Sequence, residues 1–111
     1  MDERQERIGR NEALYRSVND RLEDLNEAFA TITETFAVVC ECGDASCFEQ
    51  LTVAVPDYER VRADPILFFV RPGHGAPDVE EVVEVHGEYE VVRKRPGEPA
   101  ALARDLDLGS A

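Results

Sequence analysis

The sequence is poor in basic residues and contains no long apolar run. Twelve Lys and Arg oppose 24 Asp and Glu among 111 residues, which gives a formal net charge of −12 at pH 7. Because Lys and Arg supply most of the nonspecific affinity for nucleic acid, direct binding to DNA or RNA is disfavoured. No stretch approaches the roughly 20 apolar residues that a membrane-spanning helix needs. With no secretory signal at its start, the chain is predicted to be one small cytoplasmic domain with an appendage and no membrane contact.

The sequence also lacks the common catalytic motifs. It contains no glycine-rich phosphate loop, no His-Glu-x-x-His motif and no deaminase pattern of His-x-Glu with Pro-Cys-x-x-Cys. Acidic residues between 78 and 90 alternate as on a solvated strand face, so they are assigned no role. These acids are Asp78, Glu80, Glu81, Glu84, Glu88 and Glu90. The chain is therefore predicted not to be an enzyme and to have no small-molecule substrate.

Cysteine is scarce, and the only three cysteines, Cys40, Cys42 and Cys47, lie close together. An odd number of cysteines cannot pair completely as disulfides. Three thiolates and one imidazole form a standard tetrahedral ligand set for structural zinc. In an extended chain the side chains of residues i and i+2 point to the same side, so Cys40 and Cys42 can reach one metal. A positive φ at Gly43 and an Asx turn at Asp44 are expected to bring Cys47 to the same point.

Two histidines are available as the fourth ligand. His74 lies in a stretch rich in Pro and Gly, residues 71–77, which metal ligation would order. His86 precedes Gly87 at the tip of a predicted hairpin, where a solvent-exposed turn histidine is the common outcome. His74 is therefore favoured, with His86 left open. The predicted Zn²⁺ ligands are Cys40, Cys42, Cys47 and His74. Without zinc, the cysteines would be small buried apolar residues or contain a Cys42–Cys47 redox pair.

A heptad pattern in the first third of the chain predicts a long amphipathic helix at residues 1–36. The positions at spacings of three and four are Ile8, Asn11, Tyr15, Val18, Leu22, Leu25, Phe29, Ile32 and Phe36. Because Gly9 disfavours a helix interior and Asn11 is a good N-cap, residues 1–10 are expected to fray. At about 1.5 Å per residue the helix is longer than the remaining globule. We therefore expect residues 22–36 to dock and residues 8–18 to form a homodimer, with Asn11 setting the register.

Beyond the helix the pattern takes the period of strands. Strands are predicted at 38–40 and 49–55, a short helix at 56–62, a buried strand at 66–70, and a hairpin from 79–85 and 89–93. The predicted fold class is α+β, with a long N-terminal amphipathic helix packed on a small antiparallel sheet that a zinc knuckle stabilises. The predicted divisions are the helix at 1–36, a zinc-binding β-rich domain at 37–95 and a flexible tail at 96–111. That tail is expected to contain at most a short helical stretch around Ala100 to Leu106.

Four sequence blocks resemble a set of short, uncharacterised bacterial zinc-site proteins with a long N-terminal helix. The blocks are Asn11-Glu12-Ala13-Leu14-Tyr15-Arg16-Ser17-Val18-Asn19, Cys40-Glu41-Cys42-Gly43-Asp44 continuing to Cys47, Tyr58-Glu59-Arg60-Val61-Arg62-Ala63-Asp64-Pro65, and Pro72-Gly73-His74. The resemblance covers residues 11 to about 94 and excludes the start of the tail. It implies that Cys40, Cys42, Cys47 and His74 belong together. The set has no assigned activity, so the resemblance leaves the function open.

The small size of the globule beyond the helix, about 60 residues, favours a structural metal. Below about 70 residues a single apolar core rarely supplies more than about 3–5 kcal/mol, and a metal is one standard addition. We interpret the chain as a non-enzymatic, zinc-stabilised interaction or regulatory module whose partner is a second copy. The first alternative is a redox switch, in which oxidation of the cysteines ejects zinc, and buried sulfurs would argue against it. The second alternative is a small zinc hydrolase with an open coordination position and Glu41 as a nearby base.

Overall fold

The computed structural model describes residues 1–107, with side chains for all of them except residues 26–33. The elements in chain order are α1 (Glu3–Thr33), β1 (Thr35–Val39), β2 (Gln50–Ala54), α2 (Val55–Arg62), β3 (Leu67–Val70), β4 (Glu80–His86), β5 (Tyr89–Lys94) and α3 (Glu98–Asp105). The predicted α+β class, with a long N-terminal helix on a small antiparallel β-structure, is confirmed. The strands form two sheets, however, with orders β1-β2 and β3-β5-β4.

The β1-β2 pair carries the cysteine segment between its strands. Phe36 lies opposite Val53, and Val38 lies opposite Leu51. All four of these side chains are buried, because alternate residues on both strands face the same side. The segment between Val39 and Gln50 therefore connects two paired strands. Its two ends lie close together, because Val39 is paired with Gln50.

The three-stranded sheet is covered on both faces along its central strand, β5. Val91 belongs to one apolar cluster, together with Phe69. Val92 belongs to a second cluster, which contains Phe68 and Cys40. Because successive side chains on a strand point to opposite faces, β3 and β5 each contribute to both clusters. The cysteine segment thus packs directly on one face of this sheet.

Helix α1 differs from its prediction at both ends. It begins at Glu3 and continues through Gly9, where a Cβ atom would lie 2.8 Å from Leu102 Cδ2. Glycine at this position therefore allows close contact between α1 and α3, which the helix propensity of glycine alone cannot indicate. The helix ends at Thr33, and Glu34 has a φ of 63°, which turns the chain into β1. Phe36 therefore belongs to β1 and not to the helix.

The carboxyl-terminal segment contains a helix where a flexible tail was predicted. Residues 98–105 form α3, which begins with Pro99 in its first turn and packs Ala100 and Ala103 inward. Small side chains at these two positions let α3 lie close to its neighbours. Residues 108–111 of the predicted tail lie outside the described residues.

The docking of α1 differs from the predicted one where its side chains are described. Ile8, Asn11 and Tyr15, which were expected to overhang, contact the cysteine segment. Leu25, which was expected to dock, is 75% exposed. Among the described side chains of the helix, the buried face consists largely of polar residues, which apolar periodicity does not reveal. These buried residues are Glu12, Ala13, Arg16 and Asn19. Phe29 and Ile32 of the predicted stripe lie outside the described side chains.

Buried charges join α1 to the rest of the fold. Lys94 Nζ contacts Glu12 and lies 3.0 Å from Glu80 Oε1, and all three side chains are buried. Arg16 donates to the backbone carbonyls of Pro65 and Ala103. Glu80 was predicted to lie on a solvated face but is buried, because Lys94 offsets its charge. The solvated-face interpretation is therefore wrong for Glu80.

Candidate metal centre

The cysteine segment begins as a continuation of β1 and then folds back. The Cys40 amide donates to Glu49 O at 2.8 Å, which extends the pairing of β1 with β2 by one step. Asp44 Oδ1 accepts the Ser46 amide at 2.8 Å, so the predicted Asx turn is present. The Cys47 amide donates to Asp44 O at 3.0 Å and closes the turn. Cys42 and Cys47 therefore flank one tight reversal of the chain.

Gly43 does not have the positive φ that was predicted for it. A Cβ atom at this position would lie 2.4 Å from Ile8 Cγ2. The glycine is instead explained by the close approach of α1 to the cysteine segment. Sequence reasoning could not find this contact, because it depends on where the helix docks.

A turn at residues 71–74 positions His74. The His74 amide donates to Arg71 O at 2.9 Å, Pro72 is the second residue of the turn, and Gly73 has a φ of 83°. This combination is typical of a type II turn, which favours Pro at its second position and requires a positive φ at its third. The Pro-Gly pair thus accounts for the ordered path of the chain that leads to His74.

The structure brings the four predicted ligands together. The ligand atoms of Cys40, Cys42, Cys47 and His74 all lie within 4.8 Å of one another. The sulfurs of Cys40 and Cys47 each lie 3.6 Å from His74 Nδ1. All three cysteines are free thiols, with Cys40 and Cys42 buried and Cys47 half-buried. The four residues lie close enough to hold a single metal ion.

His86, the other candidate for the fourth ligand, is not part of this group. It is the last residue of β4, and its Nε2 lies 2.7 Å from Glu84 Oε1. The imidazole stacks on Tyr89 with the ring centroids 4.6 Å apart. The structure therefore places His86 at a hairpin tip, as its sequence context indicated, and His74 beside the cysteines.

Residues around the four ligands position them. Glu49 Oε2 lies 3.2 Å from His74 Nε2, the ring nitrogen that faces away from the sulfurs. The Arg71 amide donates to Cys40 Sγ at 3.2 Å. Sequence analysis missed Glu49, because a glutamate just before a strand has no distinguishing pattern. Its only signal is its position two residues after Cys47.

The buried sulfurs need a nearby cation when they ionise. Burial raises the pKa of the Cys40 thiol and also that of the Cys42 thiol. Hydrogen bonds from the backbone amides of Arg71 and Asp44 act in the opposite direction but do not offset burial. Buried thiolates close together need a positive charge between them. A metal cation at the centre of the group would supply that charge.

Glu41, between two of the ligands, faces away from them into the protein. Its Oε2 accepts from Asn19 Nδ2 at 2.8 Å, and its Oε1 accepts from the Phe69 amide at 2.9 Å. Burial raises the pKa of Glu41 to about 7, and the two hydrogen bonds partly offset that effect. Both carboxylate oxygens are thus occupied by structural donors. This arrangement argues against Glu41 as the general base of a hydrolase.

A pocket of about 320 Å³ lies beyond the turn that carries His74, lined in part by Gly73, Gly75 and Arg95. None of the four ligand residues lines this pocket. The cavity therefore gives no access to the centre of the cluster, as a substrate would require.

The chain matches no protein-family model, no curated protein and no solved structure. In the part of the chain that the structure describes, no helix has both the length and the apolar character needed to cross a bilayer. The interpretation of the site therefore depends on its geometry and on the chemistry of its residues.

Proposed function

We propose that Cys40, Cys42, Cys47 and His74 hold one Zn²⁺ in a closed structural site. Zinc binds thiolate sulfur at about 2.3 Å and imidazole nitrogen at about 2.0–2.1 Å, so a tetrahedral centre separates these ligand atoms by about 3.6 Å. The two sulfur–Nδ1 distances are 3.6 Å. This agreement is the observation that carries the proposal. Thiolate and imidazole together also suit zinc better than magnesium or calcium.

In this proposal the zinc stabilises the fold and takes no part in a reaction. Its four ligands come from the end of β1, the reversal at 43–46 and the turn at 71–74, so one ion would tie these segments together. Structural zinc contributes on the order of 10 kcal/mol of binding free energy, which exceeds what a small apolar core supplies. Four protein ligands leave no open coordination position, which disfavours the hydrolase alternative.

The module would then act by binding a protein, and the partner that we propose is a second copy, held through the N-terminal helix. Two large apolar side chains of that helix support a role in binding, because they are more than half exposed. They are Leu14 and Leu25. The cytoplasm is the compartment that we propose, because it keeps ligand thiols reduced. The proposal includes kinship with the short bacterial zinc-site proteins that four blocks of this sequence resemble.

A redox switch is a second candidate, and one observation favours it. Cys47 is half-buried, whereas Cys40 and Cys42 are buried and accept backbone hydrogen bonds. An oxidant would therefore reach Cys47 first, and loss of this ligand would open the site. The other two sulfurs are buried, so oxidation of all three cysteines would be slow, and the structural role is the preferred one.

Metal content of the purified protein tests the proposal. We expect one zinc per chain by elemental analysis, strongly reduced in His74→Ala and unchanged in the control variant His86→Ala. Absence of zinc from the parent protein, or equal loss from both variants, would contradict the site. Zinc release within minutes at micromolar peroxide would place the redox switch ahead of the structural role.

A further inference from the structure

We propose that the face of α1 that points away from the globule pairs with the same face of a second copy, in antiparallel orientation. The outward face is defined here as Leu14, Val18, Arg21 and Leu25. This inference deepens the proposed interaction module and rests on it, because it names the surface through which two copies would meet. It also replaces the earlier expectation that Ile8 and Tyr15 form that surface.

The outward face lies opposite the buried face of the helix. At about 100° per residue, positions 14, 18, 21 and 25 fall within a sector of about 60°. The buried residues Glu12, Arg16 and Asn19 occupy the opposite side. Leu14, Val18 and Leu25 are 59%, 39% and 75% exposed. A second helix can therefore reach these side chains without meeting the globule of either copy.

The outward face is complementary to itself when one helix is reversed. If two copies are related by a twofold axis between residues 19 and 20, Leu14 meets Leu25 of the second copy. Val18 then meets the aliphatic part of Arg21, so no charged group is forced into an apolar contact. A twofold axis of this kind is the common symmetry of homodimers. Each apolar residue of the outward face thus acquires a partner within one symmetric arrangement.

The charge pattern along the helix favours the antiparallel orientation. Residues 1–21 contain five acids and five arginines, whereas residues 22–36 contain four acids and no Lys or Arg. A parallel pair would place the two acidic stretches side by side. An antiparallel pair places each acidic stretch opposite a balanced one, which reduces like-charge repulsion in a chain of net charge −12. The same pattern disfavours an acidic protein as the partner.

The stretch between Leu14 and Leu25 is about 17 Å long, which makes a smaller contact than a stable interface of about 1,200–2,000 Å². We therefore expect association in the micromolar range. Sedimentation equilibrium of the zinc-loaded full chain between about 5 and 200 μM should show a rising dimer fraction. A parent protein that stays monomeric at 200 μM would overturn the inference. If that protein contains one zinc per chain, the proposed metal site still holds.

Matched substitutions test the surface. Leu14→Glu with Leu25→Glu should raise the dissociation constant at least about 100-fold, because it places carboxylates at the centre of the contact. Val85→Glu is the control, because Val85 is 74% exposed but lies on β4. A dimer that survives the double substitution, or that Val85→Glu dissociates equally, would overturn the inference. If the glutamates reduce zinc content, Leu14→Ser with Leu25→Ser decides the question.

Distance measurement tests the orientation. Labels on the two N-terminal amines should lie about 50 Å apart in an antiparallel pair and about 10 Å apart in a parallel one. Dipolar spectroscopy or energy transfer distinguishes these values. A separation near 10 Å would overturn the antiparallel arrangement.

Discussion

His74 Nε2 lies 3.2 Å from Glu49 Oε2, while Nδ1 of the same ring faces the sulfurs of Cys40 and Cys47. Glu49 thus holds the imidazole by the nitrogen that the proposed zinc does not use. A carboxylate in this place fixes the tautomer and orientation of the ring. We expect Glu49→Gln to weaken zinc binding by about 10-fold to 100-fold, measured by competition with a chromogenic chelator.

Glu88→Gln is the control for this prediction. It removes the same charge from an exposed position in the turn between β4 and β5. If both substitutions weaken zinc equally, the effect of Glu49 comes from the net charge of the protein and not from its contact with His74.

Zinc binding should release protons and therefore strengthen as pH rises. Burial raises the pKa of Cys40 and of Cys42 in the metal-free protein, so both are protonated thiols at neutral pH. Zinc binds the thiolate, so each of these protons must leave when the metal enters. We expect apparent affinity to rise at least about 100-fold per pH unit near neutrality, one factor of about 10 for each released proton.

Calorimetry in buffers of different ionisation enthalpy counts these protons directly. Release of fewer than two protons at pH 7 would mean that one of the buried cysteines is already a thiolate before zinc binds.

Contacts between α1 and the cysteine segment should contribute only when the metal is bound. Asn11 Nδ2 donates to Gly43 O at 3.1 Å, and Tyr15 Oη donates to Ala45 O at 3.0 Å. Both acceptors lie between Cys42 and Cys47, so loss of zinc would release them. We expect Asn11→Ala to lower the free energy of unfolding of the zinc-loaded protein by about 1 kcal/mol. Urea unfolding of the two zinc-loaded proteins measures this loss, and circular dichroism after chelation should not distinguish them.

The same experiment tests the role of the metal. In the parent protein, a strong chelator should abolish cooperative unfolding of the β-structure while part of the helical signal in circular dichroism persists. A sharp transition in the metal-free protein, with an undiminished effect of Asn11→Ala, would contradict a structural role.

The fold class and the four residues of the candidate site could be predicted from the sequence. Local rules explain this success. The Asx turn at Asp44 and the Pro-Gly turn before His74 depend on residues that are close in the chain, and these turns place Cys47 and His74. The period of two along β2, which was predicted at 49–55, likewise agrees with the burial of Leu51 and Val53.

The docking of α1 could not be predicted in the same way. Its buried face contains Glu12, Arg16 and Asn19, whose partners are distant in sequence: Lys94, the carbonyls of Pro65 and Ala103, and the backbone of Val39. A polar residue is expected to be exposed unless its buried partner is known. The apolar residue Leu25 was misleading, because it was expected to dock but lies on the outward face.

Gly43→Ala should destabilise the protein by steric overlap. The new Cβ would lie 2.4 Å from Ile8 Cγ2, so α1 or the cysteine segment must move. We expect a loss of about 1–3 kcal/mol in the free energy of unfolding, as for other overpacked contacts. Adding Ile8→Ala should recover part of this loss, because it removes the nearest atom. Independent, additive effects of the two substitutions in urea unfolding would contradict direct contact.

Lys94→Met should be among the most damaging substitutions outside the metal site. Lys94 is buried between Glu12 and Glu80, and its removal leaves two buried carboxylates without a cation. Breaking such a cluster costs about 3–5 kcal/mol, measured by urea unfolding of the zinc-loaded protein. The control Arg93→Met, which breaks the exposed pair with Glu81, should cost less than about 1 kcal/mol.

The loss caused by Lys94→Met should also depend on pH. Burial and the neighbouring Glu80 raise the pKa of Glu12, and removal of the lysine raises it further. A carboxyl whose pKa is higher in the folded state than in the unfolded state destabilises the fold as pH rises, because the unfolded chain ionises more easily. The variant should therefore lose more stability at pH 8 than at pH 6. Replacing all three residues by apolar ones of similar volume should recover most of the loss, since no buried charge remains. Equal destabilisation at both pH values would show that Lys94 acts through packing and not through its charge.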